Sequence, residues 1–250
     1  MKFYFFLIFG TLTLAHAYAY SSKIDFSYYH STSQIDSIMK GLIQNCHKLQ
    51  ISEHSAADYI QDPSLKENFQ LLKYYDIKEK EENLKSNLKI SLRNNLKSNL
   101  KSNLKINKKK QNVFLLAGEH PRELISSEFL LHFIVSMCEN ETSNFVQDFN
   151  FRVIINANPN GRKIVEKGEY CRRTNLNNVD LNRNWDIFWS RDTSNTSEEY
   201  PGWKPFSELE SRFISDSIRN FDAKLFLTLH SGVYGLFLPY AYLEEEGKLV

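Results

Sequence analysis

Two potential metal ligands lie where an apolar run gives way to a helix-like run. In the stretch FLLAGEHPRELISSEFLLHF, residues 114–133, His120 and Glu123 are three residues apart. A catalytic zinc ion typically takes three protein ligands from histidine and carboxylate side chains and leaves one position open for water. His230, which ends the apolar run AKLFLTLH, is a candidate for the third ligand. The H-x-x-E spacing by itself more often marks a helix start beside a loop histidine. The prediction of a metal site therefore depends largely on His230.

A second polar cluster, YCRRTNLNNVDLNRNWD at residues 170–186, combines arginine and asparagine side chains. Guanidinium groups hold carboxylates in a two-pronged grip. Arg173, Asn182 and Arg183 are therefore candidates for binding an anionic group or an oxyanion. The alternative is a solvated loop whose arginines pair with Asp180 and Asp186.

Strand-like and helix-like segments alternate along the second half of the chain. The strand candidates are VFLLAG, FRVIIN and AKLFLTL, and the helix candidates are ELISSEFLLHFIVSMC and PFSELESRFISDSIRNF. Ser207 and Glu210 in the second helix have capping-box spacing. This alternation predicts an α/β fold with a mixed, mostly parallel sheet flanked by helices. In open sheets of this kind, sites lie at the carboxyl ends of strands, where His120, Asn158 and His230 stand.

The first half of the chain begins with the pattern of a secretory signal peptide over residues 1–19. Lys2 precedes an apolar run, and small residues around Ala17 offer cleavage sites. The pattern predicts a protein that is secreted or enters the secretory lumen, without stable membrane insertion after cleavage. YYHSTSQIDSIMKGLIQNC then predicts a helix, and FQLLKYY a short strand. A net charge of +1 gives no reason to expect a nucleic-acid partner.

The chain contains three cysteines, Cys46, Cys138 and Cys171. An odd number in a secreted chain allows one disulfide and leaves one thiol over. We expect Cys138 and Cys171 to form the pair, because both flank the candidate site region.

A lysine-rich segment, residues 76–111, interrupts the apolar patterning. It repeats a four-residue unit, NLKS NLKI SLRN NLKS NLKS NLKI, with no acidic residue inside the repeat. Unbroken positive charge with asparagine and serine is typical of a solvated, low-complexity insertion. A basic arm for polyanions or acidic lipid surfaces is the alternative.

Four motifs occur in order: GEHPREL, NPNG, VDLNRNW and LTLHSG. Together they resemble the zinc carboxypeptidases of peptidase family M14, and YYHSTSQIDSIM resembles the opening helix of the family's catalytic domain. The resemblance implies a partial carboxypeptidase catalytic domain over residues 24–250, interrupted by the insertion. It also implies that His120, Glu123 and His230 bind Zn²⁺.

The resemblance implies four further roles, all in recognition of a peptide or protein C-terminus. Arg122 would polarise the scissile carbonyl or contact the substrate. Arg173, seven residues before Asp180, matches the arginine that stabilises the oxyanion. Asn182 and Arg183 match the pair that grips the C-terminal carboxylate.

One feature of the family has no match in this sequence. The general base of the family is a glutamate on a strand several tens of residues beyond the last zinc ligand, whereas only residues 231–250 follow His230. Glu244, Glu245 and Glu246 have no strand context and are not assigned this role. We expect an incomplete catalytic domain of poor stability with exposed edge strands. An inactive zinc-binding pseudoenzyme that captures peptide C-termini is the alternative, and a deacylase of small N-acyl amino acids is a third possibility.

Overall fold

The computed structural model describes residues 29–80, 109–139, 145–191, 194–238 and 248–249. The predicted signal peptide, residues 81–108 of the predicted insertion, and Glu244, Glu245 and Glu246 lie outside the described residues. The helices are α1 (Thr32–Asn45), α2 (Pro63–Lys66), α3 (Leu124–Glu139), α4 (Phe145–Asp148), α5 (Pro159–Val165) and α6 (Leu209–Arg219). The strands are β1 (Leu49–Ser55), β2 (Lys73–Glu79), β3 (Gln111–Ala117), β4 (Phe149–Ile154), β5 (Leu225–Leu229), β6 (Leu236–Phe237) and β7 (Lys248–Leu249). Within these ranges, no helix combines the length and the apolar character needed to cross a membrane.

A five-stranded mixed sheet lies at the centre, with strand order β1-β2-β4-β3-β5. β2 pairs antiparallel with both β1 and β4, whereas β3 lies parallel to both β4 and β5. The α/β class with a mixed sheet flanked by helices is as predicted. Because β3 and β5 are parallel neighbours, their carboxyl ends meet at one edge of the sheet.

The two faces of the sheet pack against different helices. Along β3, Val113 and Leu115 join a cluster that includes residues of α1 and α3, while Phe114 and Leu116 join a cluster with Ile214 of α6. Successive side chains of a strand point to opposite faces. β3 is therefore buried on both sides, which explains the unbroken apolar run VFLLA.

The first helix forms as its sequence predicts. Ser31 caps α1 and forms a capping box with Gln34. Ile35 and Met39 on its apolar side are buried in the core.

The strand predicted at FQLLKYY lies further along the chain than expected. Residues Glu67–Phe69 form a 3₁₀ turn, and β2 begins at Lys73. β2 continues to Glu79 because Ile77, which is fully buried, lies between Ile51 of β1 and Phe151 of β4. Residues 76–79 and Gln111, at the two ends of the predicted insertion, are thus strand residues.

The capping box predicted at Ser207 and Glu210 is wrong. α6 begins at Leu209 with Glu208 as its N-cap residue, and no side-chain cap bond is made. The Ser207 hydroxyl instead donates to Glu208 Oε1 at 2.7 Å.

The expected pairing of Cys138 with Cys171 is also wrong. Cys46 and Cys138 form the disulfide, with Cα atoms 5.5 Å apart, and Cys171 is an exposed free thiol. The Cys171 carbonyl accepts a bond from Arg122, just before α3 begins, whereas Cys138 lies near the other end of this 16-residue helix. A helix of that length separates its ends by roughly 24 Å, too far for a disulfide.

Candidate metal centre

The connection from β3 to α3 carries two of the predicted ligands. After β3 ends at Ala117, Gly118 has a φ of 74°, and a Cβ atom there would lie 3.0 Å from the Asn156 Cα. The chain then turns, with the Glu123 amide donating to the His120 carbonyl at 3.1 Å. His120 and Glu123 are 2% and 8% exposed. The turn therefore buries both side chains at the carboxyl end of β3.

β5 brings His230 to the same edge of the sheet. Ala117 and Leu229 are register partners, so His230 follows β5 directly beside the β3–α3 turn. His120 Nδ1 lies 2.7 Å from Glu123 Oε1. His230 Nδ1 lies 3.0 Å from Glu123 Oε2 and 3.2 Å from His120 Nδ1. One potential ligand atom from each residue lies within 4.8 Å of the others. The structure thus brings together all three predicted ligands.

The outer nitrogen of each histidine contacts a further carboxylate. His120 Nε2 lies 3.0 Å from Asp180 Oδ1, and His230 Nε2 lies 3.3 Å from Glu119 Oε2. The Thr228 hydroxyl donates to the same Glu119 oxygen at 2.7 Å. Carboxylates in this position fix the tautomer and orientation of metal-binding histidines. The inner Nδ1 atoms are consequently the ones that face each other and Glu123.

The carboxylates give the centre a preference for positive charge. Burial alone would lower the pKa of His230, but hydrogen bonds with Glu119 and Glu123 raise this pKa to about 10. Burial opposes the charged form of His120 too, but bonds with Asp180 and Glu123 raise the pKa of His120 above its ordinary value. Burial would raise the pKa of Glu123, but its bonds with both histidines hold this pKa well below the usual range.

This charge distribution fits a divalent cation. The carboxylates of Glu119, Glu123 and Asp180 carry three negative charges, and Arg173 compensates one of them. A histidine must be neutral to bind a metal ion. With both histidines neutral, two negative charges remain uncompensated, and an ion of charge +2 would neutralise them. Two imidazoles and a carboxylate are also a donor set that zinc prefers.

Two of the predicted substrate-binding arginines, Arg173 and Arg122, make different contacts. Arg173 grips Asp180 Oδ2 through Nε at 2.9 Å and Nη2 at 2.8 Å, so it is linked through Asp180 to His120. Arg122 donates to the Cys171 carbonyl at 2.8 Å and forms an exposed ion pair with Glu198.

The last two predicted substrate-binding residues lie in the 3₁₀ turn Leu181–Arg183. Arg183 pairs with Glu199 at 3.2 Å, and both side chains are about half exposed. The backbone amide of Asn182 donates to Asp180 Oδ1 at 2.9 Å. Asp180 thereby connects the histidine, the arginine and this turn. The arginine–aspartate pairing expected for a solvated loop does occur at Asp180, but that side chain is fully buried beside the centre.

The sequence did not predict Glu119, whose carboxylate contacts the outer nitrogen of His230, or Thr228, whose hydroxyl donates to Glu119. Glu119 is 2% exposed although it directly precedes His120 in a polar stretch. Thr228 stands two residues before His230, which places both on one side of the strand. A period-two inspection of LTLHSG could have found Thr228. No local signal pointed to Glu119, because its partners lie about 110 residues away.

A catalytic base facing the inner nitrogens is not found among the described residues. Glu119 and Asp180 contact the outer nitrogens of the histidines, and Glu123 is itself a candidate ligand.

Solved structures share the fold. The chain aligns with carboxypeptidase A from Helicoverpa armigera with a TM-score of 0.62 and 22% identity, covering 90% of this chain and 53% of that one. It aligns with thrombin activatable fibrinolysis inhibitor with a TM-score of 0.64 and 21% identity, covering 88% and 52%. At this level of identity the likeness concerns the fold.

Sequence comparison identifies relatives of the same kind. The chain is 30% identical over 151 residues to zinc carboxypeptidase A 1 of Anopheles gambiae, covering 54% of this chain and 35% of that protein. It is 33% identical over 141 residues to carboxypeptidase B of Helicoverpa zea, covering 50% and 33%. It is 27% identical over 157 residues to inactive metallocarboxypeptidase ECM14 of Paracoccidioides brasiliensis, covering 54% and 27%. The match therefore spans about a third of the length of these relatives.

The family model for zinc carboxypeptidases matches residues 65–248, which include all the residues of the centre. This range covers well over half of the chain. With the shared fold and the His–Glu–His group at the sheet edge, the match shows that this chain belongs to the zinc carboxypeptidases of peptidase family M14.

Proposed function

We propose that this protein is a zinc-dependent carboxypeptidase that hydrolyses C-terminal residues from peptides or proteins. The observation that carries the proposal is the convergence of His120, Glu123 and His230 at the carboxyl ends of two parallel strands. Arg173, which Asp180 holds close to His120, adds a guanidinium whose N–H groups can donate to a substrate oxygen.

His120, Glu123 and His230 would hold the zinc ion, through the two Nδ1 atoms and the carboxylate. When bound, zinc supplies a Lewis acid that polarises a carbonyl and lowers the pKa of water. Asp180 and Glu119 would keep the two imidazoles oriented with their inner nitrogens toward the ion. The Ser231 amide, which donates to Glu123 Oε2 at 3.0 Å, would hold the carboxylate in place.

The arginine and asparagine side chains would recognise the substrate. Arg183, with Asn182 beside it, would bind the free C-terminal carboxylate. Both side chains of the Arg183–Glu199 ion pair are about half exposed, and surface pairs contribute only about 0–1 kcal/mol, so a substrate carboxylate can replace Glu199. Arg173 would stabilise the oxyanion, and Arg122 would contact the substrate after exchanging Glu198.

A pseudoenzyme that binds zinc and captures peptide C-termini is the second candidate. The observation in its favour is that, within the described ranges, no carboxylate besides Glu123 faces the inner nitrogens. Water activation at zinc requires a base to take the proton. An inactive metallocarboxypeptidase is among the relatives.

The predicted signal peptide supports a place in the secretory pathway, where the Cys46–Cys138 disulfide would form. Expression with the native amino terminus, followed by Edman sequencing of the secreted protein, tests this part of the proposal. Cleavage near Ala17 is expected, and retention of the intact amino terminus inside the cell would contradict it.

One experiment separates the two candidate functions. The zinc-loaded chain is mixed with a peptide carrying a free C-terminus and with the same peptide amidated there. Binding is measured by calorimetry, and release of the terminal amino acid by mass spectrometry. A carboxypeptidase releases the terminal residue of the free acid only, and a chelator stops the release. Selective binding without release supports the pseudoenzyme, and equal affinity for both peptides would contradict both candidates.

Substitution of Arg183 by glutamine tests the recognition role. The variant is expected to bind the free-acid peptide more weakly by about tenfold or more, because it loses a charge-assisted pair, while binding of the amide changes little. Arg219→Gln, an exposed arginine at the end of α6, is the matched control and should retain wild-type selectivity.

A further inference from the structure

The segment that carries the proposed substrate-binding residues has little regular structure of its own. We call residues 173–184 the arginine segment; it includes Arg173, Asp180, Asn182 and Arg183. Its only regular element is the 3₁₀ turn Leu181–Arg183. The position of these side chains must therefore depend on hydrogen bonds between the segment and the rest of the fold.

The beginning of the arginine segment is closed by Asn175 and attached to Glu208. Asn175 is 1% exposed, and its Oδ1 accepts the amides of Asn177 and Val179, each at 3.0 Å. The Nδ2 atoms of Asn175 and Asn177 both donate to Glu208 Oε2 at 2.7 Å. The turn from 175 to 179 is thus closed by its own Asn175 bonds, and one carboxylate oxygen of Glu208 attaches it to the start of α6.

The end of the arginine segment is attached to the same residue. Asn184 is fully buried, and its Oδ1 accepts the Glu208 amide at 3.1 Å. Its Nδ2 donates to the Pro201 carbonyl at 2.7 Å and to the Ser207 hydroxyl at 2.8 Å. Ser207 in turn donates to Glu208 Oε1. Glu208 therefore binds both ends of the segment, one through its carboxylate and the other through its backbone.

Glu208 is unusual for its place in the fold. It is the N-cap residue of α6, where serine, threonine, aspartate and asparagine are favoured, and its side chain makes no cap bond. The carboxylate is 4% exposed and accepts from three side-chain donors outside the helix. α6 itself is fixed by buried Phe213 and Ile214. Burial of a carboxylate costs free energy unless hydrogen-bond donors compensate for the lost water. Here the three side-chain donors outside the helix provide that compensation.

We infer that Glu208 is a positioning residue, which fixes the arginine segment to α6 and so aims Arg173, Asn182 and Arg183 at the substrate. Its role in recognition rests on the proposed function, whereas its role in ordering the segment does not. The effect also reaches the centre, because Asp180 within the segment bonds to His120.

The inference is tested with zinc-loaded protein and three variants of the contact. Glu208→Ala removes all three acceptor contacts. Glu208→Gln keeps one oxygen for Asn175 and Asn177, and should restore part of the order. Asn177→Ala removes one donor from an exposed position, so the variant should fold even if Glu208→Ala does not. Glu53→Ala is the matched control, because Glu53 lies in β1, at the opposite edge of the sheet from β5, where it pairs with Lys73 of β2.

The first readout is hydrogen exchange of the Val179 and Asp180 amides, which bond to Asn175 Oδ1 and the Tyr200 carbonyl. Exchange should be faster by roughly tenfold or more in Glu208→Ala, less so in Glu208→Gln and Asn177→Ala, and unchanged in Glu53→Ala. The second readout is the ratio of affinities for the free-acid and amidated peptides, which should fall in the same order while zinc stoichiometry is retained.

The outcomes separate the inference from the proposed function. Wild-type exchange at both amides in Glu208→Gln and Asn177→Ala would overturn the inference, whatever the peptides do. Faster exchange with an unchanged affinity ratio would overturn the recognition role. If the wild-type protein itself binds both peptides equally, the proposed function fails, and faster exchange in the variants still supports Glu208 as the residue that orders the segment.

Discussion

Each histidine of the centre uses its two ring nitrogens for different purposes. The outer Nε2 atoms of His120 and His230 contact Asp180 and Glu119, and the inner Nδ1 atoms converge with Glu123. This division is what a metal centre needs, because the outer contact determines which nitrogen remains available for the ion. Asp180 also forms an ion pair with Arg173.

Replacement of Asp180 by asparagine should weaken zinc binding. The amide keeps the size of the side chain but removes the charge that supports the His120 imidazole, so the affinity for zinc should fall by about ten- to hundredfold. Competition with a fluorescent chelator measures this change. Asp186→Asn, an exposed aspartate six residues away, is the control. Equal zinc affinities for Asp180→Asn and the wild type would contradict the orienting role.

At the residue scale, the sequence predicted the residues that converge but not the groups that support them. His120 and His230 are predicted because each follows an apolar strand, and Glu123 because it belongs to the same motif as His120. Glu119 and Glu208 were missed because their hydrogen-bond partners lie far away in sequence or in irregular segments. A glutamate before a helix is ordinarily interpreted as favouring the helix start, and only the contacts with Asn175 and Asn177 indicate otherwise.

At the scale of elements, the parallel pairing of β3 and β5 creates the site. His120 and His230 are 110 residues apart, yet their Nδ1 atoms lie 3.2 Å apart because Ala117 and Leu229 are in register. The sequence predicted β3 because burial on both faces gives this strand an unbroken apolar run. It placed β2 too early, since that boundary depends on pairing with β1 and β4.

The start of α6 contains a second buried acid whose ionisation should affect stability. Glu210 is 3% exposed, and burial raises its pKa from an ordinary 4.5 to about 7. The folded chain therefore holds this proton more tightly than the unfolded chain does. The contribution of Glu210 to the free energy of unfolding should therefore fall as the pH rises through the window from 4.5 to 7.

Replacement of Glu210 by glutamine should remove this dependence. The difference in the free energy of unfolding between the variant and the wild type should shift in favour of the variant by about 3 kcal/mol from pH 4 to pH 8. Urea unfolding of the metal-free proteins at the two pH values measures the difference. The exposed Glu198 provides the control, Glu198→Gln, which should follow the wild type. Parallel pH profiles for wild type and Glu210→Gln would show that Glu210 does not titrate in this window.

At the scale of the whole molecule, the Cys46–Cys138 disulfide joins the end of α1 to the end of α3 across 92 residues of sequence. The loop that it closes contains β1, β2, β3 and the predicted insertion. Among the described strands, β5 is the outermost one next to the metal centre. This side of the sheet is less enclosed, since all five residues of β5 are only partly buried. The poor stability expected from the sequence remains a prediction. The partial exposure of β5 is a feature that would lower the free energy of unfolding.

Removal of the disulfide should destabilise the fold without altering the metal centre. Cys46→Ser combined with Cys138→Ser should lower the free energy of unfolding by roughly 2–4 kcal/mol, because a long loop regains its freedom in the unfolded state. Denaturant unfolding measures the loss, and zinc content should stay unchanged. Cys171→Ser is the matched control. A double variant as stable as the wild type would contradict the expectation.

The most direct test of the central claim is the zinc content of the purified chain, measured by mass spectrometry after equilibration with zinc and removal of excess metal. We predict about one zinc ion per chain for the wild type and for His132→Ala, an exposed histidine on α3. Glu123→Ala and His230→Ala should lose most of the bound zinc while remaining folded. A wild-type chain without zinc, or full zinc content in Glu123→Ala and His230→Ala, would contradict the assignment of this centre.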